Sequence, residues 1–321
     1  MLMRTDVEDA LWKERTLVKT SLMRQTIHLI PADEFSLYIR ALRRSRIDAV
    51  LRVMARVGVS ADEGHALTGH IMDAVRERAL GHADIRAAVR PKVSKRVQGW
   101  MDKVWSIVRI PVSEGLLCYG PGEGNTVRFI RSDQWLKKSH PKPADENDAQ
   151  RALLGKYLRA YGPATLSDFA HWSGLPSSQV RPLRQLCAED LVDVQVDSEA
   201  RLLHRDDVKC FHSKKNAASC VRLLPHFDPY LLAHQEKGHL LAQKDYKRVY
   251  RNQGWISPVL LVDGWIAGTW SHKSQGSRLQ VSIEPFTRLA RATRDAIALE
   301  AESLAGFFGA ALKLMIGSNR A

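Results

Sequence analysis

Residues 151–205 constrain the fold more than any other stretch, because their hydrophobic period switches from helical to extended within one short unit. In RALLGKYLRAYG, Leu154, Tyr157, Leu158 and Tyr161 fall on one helical face, and Gly162-Pro163 stops the helix. Thr165 stands at an N-cap position with Asp168 three residues on, a short capping-box pair. Leu166, Phe169 and Ala170 make the buried stripe of a second helix, which Gly174 can close. A third helix is expected to carry Leu183, Leu186, Cys187 and Leu191 on one side. It should start at Pro182, since proline suits a helix's first position. Val192, Val194 and Val196 then alternate with Asp193, Gln195 and Asp197, which is the period of a strand. Residues 198–200 can turn and residues 201–204 can return. Three helices and a ribbon are the layout of a winged helix, whose second helix-turn-helix member commonly enters the major groove. Small protein-interaction modules use the same packing.

The charge balance favours the first of those two readings. Among 321 residues, 48 Lys and Arg face 35 Asp and Glu, for a net charge of +13 and a pI near 9.7. Such an excess attracts a polyanion, and beside a winged-helix pattern the expected partner is double-stranded DNA. The alternative is a basic surface without a partner. Cys118, Cys187, Cys210 and Cys220 show no CxxC spacing and read as reduced residues, not a disulfide framework. No run of 18 apolar residues exists, and residues 1–20 lack a signal-peptide core, so a cytoplasmic protein with no membrane partner is expected.

Read in order, residues 6–18 look helical and TSLMRQTIHLI (20–30) looks like a strand closed by Pro31. Residues 32–44 open a helix whose exposed side carries Arg40, Arg43, Arg44 and Arg46. Either phosphate contact or plain solvation accounts for that charge run. Ser60 and Glu63 form a capping box ahead of Leu67, Ile71, Ala74 and Val75. Arg78-Ala-Leu-Gly-His-Ala-Asp-Ile85 then resembles Arg159-Ala-Tyr-Gly-Pro-Ala-Thr-Leu166 at an offset of 81, with Asp84 and Thr165 as matching caps. Trp100, Val104, Trp105 and Val108 supply a third helix, and residues 115–119 and 126–130 flank the wing tip PGEGN (121–125).

The expected class is therefore α+β, with tandem winged-helix domains followed by a small barrel-like β-rich domain. Residues 1–59 read as a partial winged-helix repeat, 60–136 as a winged helix and 137–149 as a linker. Residues 150–207 form a winged helix, and 208–321 form the β-rich domain with a closing helix over 287–309. In that last domain, residues 221–224 and 279–283 are strand candidates, and Asp263-Gly264 suits a two-residue hairpin turn. Trp255, Trp265 and Trp270, at strand spacing, read as core before base-stacking groups. Candidate DNA contacts are Arg90, Lys92, Lys95 and Arg96 in the first winged helix, and Arg181, Arg184 and Gln185 in the second. Ser177 and Ser178 lie in the turn before the latter. A solvated loop is the alternative for the first set. Partial ligand spacings at His226/Asp228, His234/His239 and Cys210/His212/Cys220 complete no tetrahedral set, so no metal and no cofactor are expected. GxSxG, GxxxxGK[ST] and GxGxxG are absent.

Five phrases occur in one order: RQTIHLIPADEF (24–35), RFIRSDQWL (128–136), GPATLSDFAHWSGL (162–175), LPHFDPYLLAH (224–234) and VLLVDGWIAGTW (259–270). Together they resemble the bacterial winged-helix DNA-binding family that includes the AlkZ and YcaQ DNA glycosylases. The resemblance implies tandem winged helices with a C-terminal β-barrel, acting on DNA to excise alkylated purines and unhook interstrand crosslinks. Arg24 is a further candidate DNA contact, and His28, on an otherwise apolar strand, reads as hydrogen-bonded in the core or near the DNA cleft and not as a catalytic base. Family glycosylases carry Gln-apolar-Gln or Gln-apolar-Asp several dozen residues before the RQTIHL segment. Only 23 residues precede Arg24 here and none forms that motif, while Gln195-Val196-Asp197 lies on a wing and reads as chance alternation. Catalytic residues are thus unassigned. The expectation is either a start upstream of Met1, or a repair-type DNA-binding protein without base removal. An active monofunctional glycosylase and a winged-helix transcription regulator are the alternatives. A regulator would dimerise on a two-fold site, no dimerisation helix is evident, and a monomer is expected.

Overall fold

A computed structural model describes residues 2–122, 126–136, 145–211 and 219–317. The chain divides into two compact units, Glu8–Arg205 and a second made of Met1–Val7 with Asp206–Ala321.

The first unit is built on one long helix. Helix α1 (Arg4–Asp9) begins in the second unit and ends in the first; after it and a π-turn to Glu14, β1 (Leu17–Ser21) and β2 (Ile27–Pro31) pair as an antiparallel hairpin, with Val18 opposite Ile30. The expected helix over 6–18 therefore ends early, and the expected single strand over 20–30 is a turn and one arm of a ribbon. Helix α2 (Phe35–Ala55) has 21 residues, about 32 Å at 1.5 Å per residue. It runs a full three turns past the expected end, because Val50 and Met54 continue the buried stripe begun by Ile39 and Leu42. Its first half packs with the hairpin, Leu153, Tyr157, Phe169 and Trp172, and its second half packs in another core with Leu67, Ile71, Ile85 and Trp100. One helix thus serves two cores.

The second core begins with α3 (Ala61–Ala74), capped as expected by Ser60, which accepts from Glu63 N at 3.1 Å while Glu63 accepts from Ser60 N. Strand β3 (Leu80–Gly81), α4 (His82–Val89), α5 (Lys95–Lys103), α6 (Arg109–Ser113), β4 (Leu117–Gly120) and β5 (Arg128–Arg131) follow. The sheet order is β3-β5-β4. The expected helix through Val108 stops at Lys103. Arg86 donates to Met101 O and Val104 O, closing α5, and Trp105 is left 78% exposed. The wing-tip residues 123–125 lie outside the described residues.

Helix α7 (Ser132–Trp135) precedes α8 (Glu146–Tyr161). Asp145 accepts from Asp148 N at 2.9 Å, so residues 145–149, expected as linker, form an N-cap and first turn. Residues 137–144 lie outside the described residues. Helix α9 (Leu166–Ser173) has the expected Thr165/Asp168 box and ends at Gly174, whose φ is +78. The expected third helix is two single turns, α10 (Ser177–Val180) and α11 (Leu183–Leu186), broken at Arg181-Pro182. Ser177 and Ser178 belong to the first of these, not to a preceding turn. Leu186 is exposed, and Leu191 opens β6 (Leu191–Val196), which pairs with β7 (Glu199–His204).

Both halves of this unit place a short extended segment before a helix and pair it with a later hairpin: Leu80 with Phe129, and Ala164 with Leu202. The helix start after Leu80 is capped by Asp84, which accepts from Gly81 N at 3.3 Å. Asp84 therefore corresponds to Asp168, not to Thr165. The structural offset is 84 residues, one helical turn more than the sequence match, and a three-residue slip nearly preserves the apolar face.

The second unit carries one five-stranded sheet, with β8 (Val221–Leu224), β9 (Val259–Val262), β10 (Trp265–Gln275), β11 (Arg278–Pro285) and β12 (Ala311–Ile316) in the order β12-β11-β10-β9-β8. Asp263 and Gly264 have φ of +52 and +83, as the hairpin turn requires. Helix α12 (Arg291–Phe307) does not close the chain, because β12 follows it and pairs parallel to β11. β8 and β12 are both edges, so the sheet is open where a barrel was expected. Its two faces cover separate cores, one with Ile297 and Ala301 of α12, the other with Leu231, Leu240 and Val249. Trp270 is core, its Nε1 donating to Leu224 O at 2.8 Å, while Trp255 and Trp265 are nearly half exposed.

Candidate nucleic-acid interface

The hairpin turn has an unusual backbone. Arg24 and Gln25 both have positive φ, +52 and +61, without being glycine. Such strain persists only where neighbours fix it. Here Arg24 Nη1 donates to Trp172 O. A β-carbon on Gly174 would lie 3.1 Å from Arg24 N, so the end of α9 is pressed against the turn. Burial lowers the Arg24 guanidinium from its ordinary pKa. His28 stands 2.9 Å from Thr26 Oγ1, and burial lowers its imidazole pKa as well. At neutral pH it is uncharged, a hydrogen-bonding group beside the turn and not a phosphate-binding cation.

A cleft of about 640 Å³ opens between this turn, α2 and the α9–α10 corner. Arg24, Arg46 and Arg52 line it, with Gln25, Ser178 and Gln179. Asp48 is its acidic lining group among the described residues. Gln179 Oε1 is buried with no hydrogen-bond partner. A smaller hollow of about 190 Å³ adjoins, lined by Ser21, Trp105, Arg109 and Tyr119, with Gln25 and Arg46 shared between the two.

The residues singled out from sequence divide sharply. Arg24 and Ser178 reach the cleft. Arg43 and Arg44 are exposed on α2 without lining it, as are Ser177, Arg181 and Gln185 around α10 and α11. Arg184 is held by Asp193 at 2.5 Å and Arg90 by Asp102 at 2.7 Å, while Arg96 donates to Gly58 O at 2.8 Å. Lys92 and Lys95 remain exposed. Arg46, expected on a solvated side, is buried at 7% exposure. Arg52, Gln179 and Arg109 were missed. For Arg46 the signal was present, since it falls on the period of Ile39, Leu42, Val50 and Met54.

Among the described residues, no group of three or more His, Cys, Asp or Glu is placed to hold a metal ion, and His212 lies outside them. No described helix is long and apolar enough to cross a membrane.

A family model described as "DNA glycosylase AlkZ-like" matches residues 2–307. The "Interstrand DNA cross-link repair glycosylase" of Streptomyces sahachiroi is 28% identical over 312 residues, covering 90% of this chain and 78% of that one. The solved structure of "Streptomyces sahachiroi DNA glycosylase AlkZ" matches with a TM-score of 0.82 at 24% identity, over 98% of this chain and 85% of that chain. At that identity the last match establishes the fold.

Proposed function

The chain belongs to the AlkZ-like DNA glycosylase family, and from that premise we propose that it binds duplex DNA as a repair protein, through the arginine-lined cleft of its first unit. The observation that carries this is three arginines, from the hairpin turn and α2, converging on one concave surface in a chain of net charge +13. We read residues 60–136 and 150–207 as two winged helices, on the strength of a helix, a short extended segment, further helices and a paired ribbon in the same order. The protein is read as a cytoplasmic monomer, consistent with Cys118 and Cys187 being buried outside any disulfide.

Fluorescence anisotropy with a labelled duplex across a salt series tests this. Each phosphate contact contributes about −0.9 to the slope of log K against log salt. With about five contacts, a fourfold rise in salt weakens binding by roughly 10²–10³-fold. Binding that is absent at low salt, or indifferent to salt, rejects the reading.

Family membership favours a second activity, hydrolysis of the N-glycosidic bond of alkylated purines. An N7- or N3-alkylated purine is already cationic and leaves readily, so the protein's task is to expose the nucleotide, place a water and stabilise an oxocarbenium-like sugar. Carboxamides and a carboxylate suit the last two tasks, and Gln25, Gln179 and Asp48 border the cleft. No Gln-apolar-Gln or Gln-apolar-Asp motif precedes Arg24 in this sequence, so release of free base from DNA containing 7-methylguanine is the result that would establish this activity. Intact DNA after many equivalents of protein leaves the binding role alone. A dimer with sequence preference would point instead to a regulator.

A further inference from the structure

Helix α2 buries Ile39, Leu42, Arg46, Val50 and Met54 on one stripe, and Arg46 is the charged member of that stripe. Its Nη2 donates to Ser21 Oγ at 3.3 Å, while its Nε and Nη1 are buried with no hydrogen-bond partner. No carboxylate pairs with it among the described residues, and Asp48, two positions on, is exposed. The charged group that bears on it is Arg109, a like charge. Burial and that repulsion pull its pKa down to about 10, which still leaves it cationic at neutral pH.

A buried charge without a counterion costs stability, and an apolar side chain of similar size in its place is often neutral or better. Packing therefore does not account for an arginine here. Its position does, because Arg46 borders both the 640 Å³ cleft and the 190 Å³ hollow. Arg24 and Arg52 also line the first and Arg109 the second, against the single carboxylate of Asp48 among the described lining residues, so an entering group meets a net positive surface. An oxyanion is the chemistry that would satisfy the idle N–H groups.

We infer that Arg46 is the deep anchor for one backbone phosphate of the bound DNA strand, drawn below the protein surface between the hairpin turn and the α9–α10 corner. This rests on the DNA-binding reading above. It goes further in naming one residue that binds at the expense of stability. Arg24 and Arg52 at the mouth then meet the neighbouring phosphates, and the anchored nucleotide cannot keep the geometry of an undisturbed duplex.

The experiment compares the full chain with Arg46→Met, measuring thermal unfolding and duplex binding by anisotropy across a salt series. The expected result is a melting midpoint equal to or above the parent's, with a salt slope reduced by about 0.9, the loss of one phosphate contact. An unchanged slope overturns the inference. So does a variant that no longer folds, because Arg46 would then be a structural group with no need of an outside anion. If the parent chain itself binds no duplex, the DNA-binding reading falls first. If the parent binds with a steep slope that Arg46→Met leaves intact, only the anchor is rejected.

Discussion

Tyr157→Ala is expected to destabilise the first unit by about 3–5 kcal/mol, the usual range for removing a large buried ring. Tyr157 is 1% exposed on α8. Its ring centroid lies 5.1 Å from that of Trp172, 5.4 Å from Phe169 and 5.6 Å from Tyr161. These rings belong to the core that also holds Val18, Ile30 and Leu42, so the cavity would loosen α9 and the hairpin together. Thermal unfolding followed by circular dichroism should show the midpoint falling by roughly 10 °C, given 2–4 °C per kcal/mol for a unit of this size. A fall of only a degree or two would mean that the aromatic cluster is not the joint between these elements.

Asp168→Ala should lose about 3 kcal/mol by a different route. The Asp168 carboxylate is buried, accepting from Thr165 N at 2.9 Å and Thr165 Oγ1 at 2.7 Å, and it faces Arg201 Nη1 at 3.7 Å. Its removal leaves the Thr165 N–H without its acceptor, breaking one half of the α9 capping box, and takes the buried counter-charge from Arg201, whose Nε already has no partner. The remaining partner of Arg201, Glu199, is two-thirds exposed and screened by water. Urea unfolding measures the loss, and Asp168→Asn, which can still accept a hydrogen bond, should fall between the parent and the alanine variant. Equal midpoints for Asp168→Ala and the parent would show that the cap carries no weight.

What could be read from the residues was chemistry that closes over a few positions. The boxes Ser60/Glu63 and Thr165/Asp168 and the turn at Asp263-Gly264 specify their own backbone. Strands β8 to β11 were legible for the same reason. Errors arose wherever a distant residue decides the outcome. Gly174 and the Trp172 carbonyl hold the turn at Arg24-Gln25 from some 150 positions away, so no local signal marks a hairpin there. Arg86 ends α5 from outside it. The segment ALKLMI alternates over too few residues to announce a strand, and it pairs only because β11 presents a free edge.

The cleft was half legible. Ser178 stood out as a polar residue beside an expected helix start and Arg24 as a cation within the family-like phrase RQTIHL, whereas Arg52 and Gln179 lie on α2 and α10 with nothing in their neighbours to separate them from solvated groups. Arg46 was visible as a charge but misjudged as to side, since the helix was expected to end before its buried stripe completed.

The parallel placement of β12 imposes an order of assembly. Strands β8 to β11 pair antiparallel with one another, and β9, β10 and β11 are joined by short turns that can zip up locally. A parallel neighbour cannot be reached by a tight turn, so β12 must wait until α12 has formed and crossed back over the sheet. Pairings that need such a long return are slow to form. Until then β11 offers its unpaired amides and carbonyls to any passing chain, and the interval before α12 docks is when this half of the protein is most exposed to self-association.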